Sequence, residues 1–366
     1  MAKDYYFSFS RNRWDPTPLI VVVIIVCLAA AAYAWFNAKD AEAVETQEAA
    51  VAAALEDLRA EANSVKVSVD LPGRLNSESY ILLQRSDYNR KFEMKGGWES
   101  ATPDATPAED AFMHERIRMA KEANERVYPA SMAKMLTALV LIERIPTEDY
   151  DKSIEITRAD MDYLYNDGAS VAGFEIGEKV SARDLLYGLM LPSGAECASA
   201  LARYSAGDVE EFVESMNAKA VEIGMTDSHF SNPVGLHDEE TYTTVSDIAL
   251  LLDYAMRDER FSEIISTQKY KTAPTNKHED GLEMKSTFYQ QGEIVLKSDD
   301  GEIIGGKTGY TSEAGQCLAS YMEKGGERFI LVTAAAKPED FHKKALHIED
   351  MLSVFNALEV NRSAEQ

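Results

Sequence analysis

Residues 128–143 read YPASMAKMLTALVLIE. After Pro129 the run is apolar on nearly all sides, which predicts a buried helix over Ala130 to Glu143. Lys134 sits in its first turn among Met132, Met135, Leu136, Leu139 and Ile142. A charged amine is costly to bury there, so desolvation lowers its proton affinity and makes it a usable base near neutral pH. Ser131 lies three residues earlier, one turn away on the same face. A helix start at this point adds positive potential where an oxyanion would form. Ser131 and Lys134 are therefore a candidate nucleophile and base.

Spacing alone is weak evidence, because Ser266 and Lys269 have the same Ser-x-x-Lys spacing in a polar stretch. Two other segments strengthen the first copy. Leu191-Pro192-Ser193-Gly194 places a serine at a break between two helices. Gly305-Gly306-Lys307-Thr308-Gly309 places a lysine and a threonine on an expected strand whose glycines admit a close backbone approach. Taken singly, Ser193 reads as a helix cap and the paired glycines as a bulge. In the order Ser-x-x-Lys, Ser-Gly-x, Lys-Thr-Gly they match the active-site serine penicillin-recognising pattern.

Around this core the chain reads as strand, helical middle, strands, helix. Ser79 to Arg85 is a strand, and Arg116 to Ala120 its returning partner. Residues 94–110 carry Gly, Pro and Thr without apolar period and read as loop. Helices are expected over Ser181 to Leu191, Glu196 to Tyr204, Val209 to Ile223 and Val245 to Met256. Strands are expected over Glu302 to Thr308, Gln316 to Glu323 and Phe329 to Ala335, with Lys324-Gly325-Gly326-Glu327 as a hairpin turn. Lys343 to Leu358 is the closing helix. Such an order closes one sheet from both ends of the chain and leaves the middle as a helical lobe.

The N-terminal part has a different character. Leu19 to Phe36 (LIVVVIIVCLAAAAYAWF) is eighteen residues without a charge, about 27 Å as a helix and close to the thickness of a bilayer core. Lys3, Arg11 and Arg13 precede it, and Asp40, Glu42, Glu45 and Glu48 follow. That asymmetry predicts a cytoplasmic tail at 1–18, a single-pass signal anchor at 19–36 in the cell membrane, and everything beyond residue 37 outside the cytoplasm. A cleaved signal peptide ending at Ala34, with secretion, is the lesser reading; the run is long for one, and Trp35 would follow the cut. Residues 37–64 read as an Ala- and Glu-rich linker helix, and 65–366 as one enzymatic domain.

The 366 residues carry 37 basic and 62 acidic side chains, a net charge of −25. No nucleic-acid partner is expected of so acidic a chain. With 45% hydrophobic and 27% charged residues it is an ordinary globular composition, not a disordered one. Beyond Cys27 there are Cys197 and Cys317, too few for a disulfide framework, and free buried thiols are expected. His229, His237 and Asp238 suggest a metal only weakly, and no metal or organic cofactor is expected.

The chain resembles the serine D-alanyl-D-alanine carboxypeptidases, the low-molecular-weight penicillin-binding proteins. YPASMAKMLTALV (128–140), GEKVSARDLLYGLMLPSGAECASALA (177–202), MNAKAVEIGMTDSHFSNPVGLHDEETYTT (216–244) and GGKTGYTSEAGQCLAS (305–320) are similar to that family's blocks, in its order. The resemblance covers roughly Ser79 to Phe355 and implies a β-lactamase/transpeptidase-like α/β fold: a five-stranded antiparallel sheet flanked by helices, with a helical lobe. It implies that Ser131 attacks the carbonyl between two terminal D-alanines of a peptidoglycan stem peptide and that Lys134 takes its proton. Ser193 would relay that proton to the leaving amine. Lys307 would bind the terminal carboxylate, assisted by Thr308 and Gly309, and the N–H groups of Ser131 and Tyr310 would form the oxyanion hole. β-Lactams would acylate Ser131 as covalent inhibitors.

Three departures from the family pattern stand out. Ala195 replaces the asparagine usual at the third position of the second motif. The loop at 94–110 is longer than the usual hairpin. The chain ends at Gln366, without room for the β-rich C-terminal domain many members carry. Ala195 motivates an alternative, a catalytically weak sensor or scaffold that binds wall peptides or penicillin. A class A β-lactamase would need a Glu-x-x-x-Asn loop between Ser193 and Lys307, and NPVGL occupies the comparable stretch.

Overall fold

The computed structural model describes residues 65–85, 116–162, 169–289, 297–339 and 344–362. Residues 1–64 and the loop at 94–110 lie outside them, as do the tail, the anchor segment and the linker expected there. No helix among the described residues is long and apolar enough to cross a membrane.

Twelve strands occur among the described residues. They are β1 (Val65–Val69), β2 (Ser79–Arg85), β3 (Ile117–Lys121), β4 (Ser153–Glu155), β5 (Lys179–Ser181), β6 (Lys269–Lys271), β7 (Glu283–Lys285), β8 (Lys297–Ser298), β9 (Gly301–Thr311), β10 (Gly315–Lys324), β11 (Glu327–Ala336) and β12 (Leu358–Arg362). The main sheet runs β3-β2-β11-β10-β9-β8, and each neighbouring pair is antiparallel. Its five long strands are those expected from the sequence. The sixth, β8, is a two-residue edge piece that pairs only with Gly301 and Glu302 of β9.

Strand β2 has the bounds read from the sequence, and the reason is burial on both faces. All but one of its residues are buried, so Tyr80 to Leu83 stand as consecutive apolar residues instead of alternating with polar ones. The alternation reappears in what the side chains touch. Ile81 and Leu83 share a core with Ile330, Val332 and Tyr321 and with the helical lobe. Leu82 points the other way, into a core with Leu318, Phe329, Leu331, Met351 and Phe355. The β10–β11 hairpin closes through Gly325-Gly326, both at positive φ, as a tight antiparallel turn with the native twist prefers.

The helices among the described residues are α1 (Ala133–Arg144), α2 (Ala182–Met190), α3 (Ala195–Ala206), α4 (Val209–Glu222), α5 (Val245–Ala255), α6 (Glu259–Ser266) and α7 (Leu346–Ala357). Helix α1 is buried from Ala133 through Ile142, with α2, α3, α4 and α5 packed around it. Capping is written in the sequence. Ser181, Asp208 and Thr244 each accept the N–H three residues on, at the starts of α2, α4 and α5. Helix α5 lies on one face of the sheet against β2 and β11, and α7 covers the other. Beneath α5, Asp253 Oδ1 accepts Arg85 Nε at 2.7 Å and Asp253 Oδ2 accepts Arg257 Nη2 at 2.9 Å, which ties β2 to the lobe.

The structure corrects the sequence reading at several places. The closing helix stops at Ala357, and Leu358–Arg362 leaves it as β12, which pairs with β1 from Val69↔Leu358 to Val65↔Arg362. Helix α6 and the short ribbons β4–β5 and β6–β7 were not anticipated. Ser181 caps α2 and is not part of it. Cys197 and Cys317 are buried and unbridged.

Candidate active site

The site lies at the seam between β9 and the helical lobe. Ser131 belongs to a single 3-10 turn, Ala130–Met132, that leads into α1. Ala130 holds φ +46°, a left-handed conformation costly for any residue with a Cβ. The turn is gripped from two sides where only glycine fits. A Cβ at Gly309 of β9 would stand 2.9 Å from the Ser131 nitrogen. A Cβ at Gly235, itself at φ +77°, would run into the Ala130 carbonyl oxygen.

Lys134 is 2% exposed. Its Nζ lies 3.1 Å from Ser131 Oγ and 2.7 Å from the Val234 carbonyl oxygen. Burial pushes its pKa down to about 7, with Glu196 opposing the shift. Near neutral pH the amine therefore exists in both forms. The protonated form donates to Ser131 Oγ, and the neutral form accepts the proton of that hydroxyl.

Ser193 sits at the break between α2 and α3 with φ +66°, a second non-glycine residue held in the left-handed region. Its Oγ accepts Lys307 Nζ at 3.0 Å. Lys307 is 1% exposed and also donates to the Thr308 carbonyl oxygen at 2.9 Å. Burial holds its proton affinity well below that of an ordinary lysine, and the charge of Lys134 pushes the same way. Thr308 Oγ1 pairs with Thr287 Oγ1 at 2.8 Å, while Tyr310 is 40% exposed at the end of β9. The three motifs are thus linked: the first to the third through Gly309, the second to the third through Lys307.

The other candidates fall away from this seam. Ser266 ends α6 and donates to the Ser262 and Glu263 carbonyls, and Lys269 is exposed on β6, so this Ser-x-x-Lys copy forms no pair like that of Ser131 and Lys134. His229 Nδ1 meets the Glu240 carbonyl oxygen, and His237 packs edge-on to Tyr128.

Sequence reasoning missed what holds Lys134 from below. Asn232 Oδ1 accepts the N–H groups of Val234, Gly235 and Leu236 at 3.2, 2.8 and 3.2 Å. Thr137 of α1 donates to the Pro233 carbonyl oxygen at 2.7 Å. Together they build the turn that aims the Val234 carbonyl at Lys134. The signal was the Asn232-Pro233 pair of the NPVGL stretch, a combination that favours a turn. We expect Asn232→Ala to strip three inward N–H groups of their acceptor, costing about 2 kcal/mol. It should also slow acylation of Ser131 roughly tenfold or more by misplacing Lys134. Thermal unfolding and labelling kinetics, beside Asn232→Asp, read both effects. An unchanged rate in a destabilised variant would leave Asn232 a structural residue only.

A family model described as D-alanyl-D-alanine carboxypeptidase matches residues 112–338. The chain is similar to D-alanyl-D-alanine carboxypeptidase DacF of Bacillus subtilis (strain 168), with 31% identity over 217 residues, covering 59% of this chain and 53% of that one. It is similar to the D-alanyl-D-alanine carboxypeptidase of Streptomyces sp. (strain K15), with 32% identity over 216 residues, 57% of this chain and 73% of that one. The chain thus spans about half the length of the first of these relatives. The fold is that of the crystal structure of the Streptomyces K15 DD-transpeptidase, with a TM-score of 0.60 and 24% identity over 78% of this chain and 97% of that one. With its serine–lysine pair at the seam and the family match running from ahead of β3 to beyond β11, the chain belongs to the D-alanyl-D-alanine carboxypeptidase family of serine peptidases.

Proposed function

We propose that the chain is a serine-type D-Ala-D-Ala carboxypeptidase that removes the terminal D-alanine of peptidoglycan stem peptides through an acyl-enzyme on Ser131. The observation that carries this reading is the 3.1 Å approach of Lys134 Nζ to Ser131 Oγ in a setting that lowers the lysine pKa to about 7.

Neutral Lys134 takes the hydroxyl proton as Ser131 Oγ adds to the carbonyl carbon between the two D-alanines. The oxygen that gains charge is met by the N–H groups of Ser131 and Tyr310. Ser193 relays the proton held by Lys134 to the leaving amine, the C–N bond breaks, D-alanine departs and Lys134 is neutral again. Water then adds to the ester carbonyl, with Lys134 again as base, and frees the shortened peptide and Ser131. Lys307 receives the substrate's terminal carboxylate. That anion supplies the countercharge which favours the ammonium form in an otherwise unfavourable site. Thr308 adds a hydrogen bond. A β-lactam presents a carbonyl and a carboxylate to the same groups, and its ring-opened acyl group stays on Ser131. The apolar segment Leu19 to Phe36, basic before and acidic after, supports a cell-membrane anchor with this domain on the outer side.

The test is release of D-alanine from a pentapeptide ending in D-Ala-D-Ala. Turnover supports the carboxypeptidase; a stable acyl adduct without turnover favours a penicillin- or peptide-binding sensor. The pH dependence follows from the base. Lys134 must be neutral to act, so the acylation rate should rise with pH through a midpoint near 7. A labelling rate flat between about pH 6 and 8 would contradict this role.

A further inference from the structure

The close approach that Gly305 and Gly306 admit is made by the protein itself. A Cβ at Gly305 would press on the Ile265 carbonyl oxygen of α6, and one at Gly306 would stand 2.9 Å from the Phe288 ring. Phe288 is fully buried. Its neighbour Tyr289 donates from Oη to the Ile304 carbonyl oxygen of β9 at 2.7 Å, and the Tyr289 N–H donates to the Ser286 carbonyl oxygen at 3.1 Å. The segment that follows β7, residues 286–289, is therefore fixed against β9 beside the third motif.

Thr287 lies in that segment and touches two motifs at once. Its N–H donates at 2.9 Å to the carbonyl oxygen of Leu191, two residues before Ser193. Its Oγ1 lies 2.8 Å from Thr308 Oγ1. Thr287 is half-buried and Thr308 is 9% exposed, so little bulk water competes for the bond between them.

Each of these hydroxyls carries one proton, and two arrangements of the pair are open to it. If Thr308 gave its proton to Thr287, it would turn lone pairs toward an incoming carboxylate. If Thr287 gives its proton to Thr308, the Thr308 proton is directed to the anion. A hydroxyl that accepts one bond also donates the next more strongly. The Thr308 carbonyl oxygen already accepts Lys307 Nζ, so the same residue steadies the lysine through its backbone and meets Thr287 through its side chain.

We propose that Thr287 is a positioning residue for carboxylate recognition: its hydroxyl donates to Thr308 Oγ1 and directs the Thr308 proton to the terminal carboxylate held by Lys307. It thereby sharpens selection of a free C-terminal carboxylate over a masked one. The inference rests on the proposed reading of Ser131 as the acylated residue and of Lys307 and Thr308 as the carboxylate site.

The backbone and side chain of Thr287 have separable roles. Its N–H bond to Leu191 is made whatever the side chain, proline excepted. Valine has the shape of threonine without the hydroxyl, so Thr287→Val removes the donor and leaves the backbone tie in place.

The experiment is the second-order rate at which the full chain is acylated by a penicillin with its carboxylate free and by the methyl ester of the same penicillin. Thr287→Val should slow the acid roughly five- to tenfold and the ester less than about twofold, so the acid-to-ester ratio falls. Thr287→Ser restores a hydroxyl and should keep the ratio within about twofold of wild type. If Thr287→Val does not fold, Thr287→Ala removes the same hydroxyl and reads the same ratio. In a Thr308→Val background, Thr287→Val should slow the acid by less than about twofold, because its effect passes through the Thr308 hydroxyl. Three results overturn the proposal: an acid rate unchanged in Thr287→Val, acid and ester slowed by the same factor, or the same loss with and without the Thr308 hydroxyl. A merely structural residue gives one of these. A wild-type chain that acylates both ligands at one rate would defeat the carboxylate site and the proposal with it. Failure of the wild-type chain to be acylated by either ligand would instead defeat the reading of Ser131.

Discussion

Ser131→Ala should reduce covalent labelling by penicillin and release of D-alanine to background, with the fold nearly intact. In the proposed mechanism the hydroxyl oxygen is the atom that forms the acyl bond. Ser193 Oγ is another hydroxyl in the seam, and it is engaged as acceptor of Lys307 Nζ at 3.0 Å. Ser131 is only partly buried, so losing its hydroxyl should change stability by about 0.5 kcal/mol or less. Lys134 keeps its contact with the Val234 carbonyl. Intact mass after incubation with a penicillin, together with a thermal unfolding curve, checks both halves. Residual stoichiometric labelling of the variant would move the nucleophile elsewhere.

Lys134→Met should lose activity and gain stability at once. Without the amine the Ser131 hydroxyl has no base, and acylation should slow by about 10²- to 10⁴-fold. The gain follows from linkage. Folding lowers this lysine's pKa from 10.5 to about 7, so between those values the unfolded chain binds more protons than the native one. Stability therefore rises with pH across that window and is fully penalised below it. The penalty is about 1.4 kcal/mol for each unit of the difference, several kcal/mol in all near neutral pH. Methionine fills similar volume and carries no charge, so the melting temperature at neutral pH should rise above wild type. A variant that melts lower while still acylating at the wild-type rate would refute both the burial argument and the role as base. Lys307 is lowered in the same direction, so wild-type stability should climb from neutral to alkaline pH for two reasons of the same sign.

The sequence made the candidate Ser131–Lys134 pair legible because it is side-chain chemistry at fixed local spacing, and the structure brings the two within 3.1 Å. Ser131 in the 3-10 turn and Lys134 in the first turn of α1 are three residues apart, and a lysine among buried apolar neighbours has few structural uses. Strand β2 and the Ala133 to Ile142 stretch of helix α1 were legible because they are almost wholly buried and mostly apolar. What was hidden depends on contacts distant in sequence or made by backbone. The Val234 carbonyl that steadies Lys134 lies a hundred residues away and carries no signature, since every residue has a carbonyl. Thr287 looks like an ordinary polar residue, and only its contact with Thr308 sets it apart. Strand β12 continues the closing helix without a Gly or Pro break, and its partner β1 is nearly the whole domain away. The hairpin Lys324 to Glu327 was readable because two consecutive glycines between apolar strands have one common use.

The most direct test of the account is where a penicillin becomes attached. The full chain would be incubated with a β-lactam, checked by intact mass for a single adduct, then digested and mapped. The account predicts one adduct, on the peptide that contains Ser131, formed faster as the pH rises through about 7. An adduct on any other residue, or none on a folded chain, would contradict it.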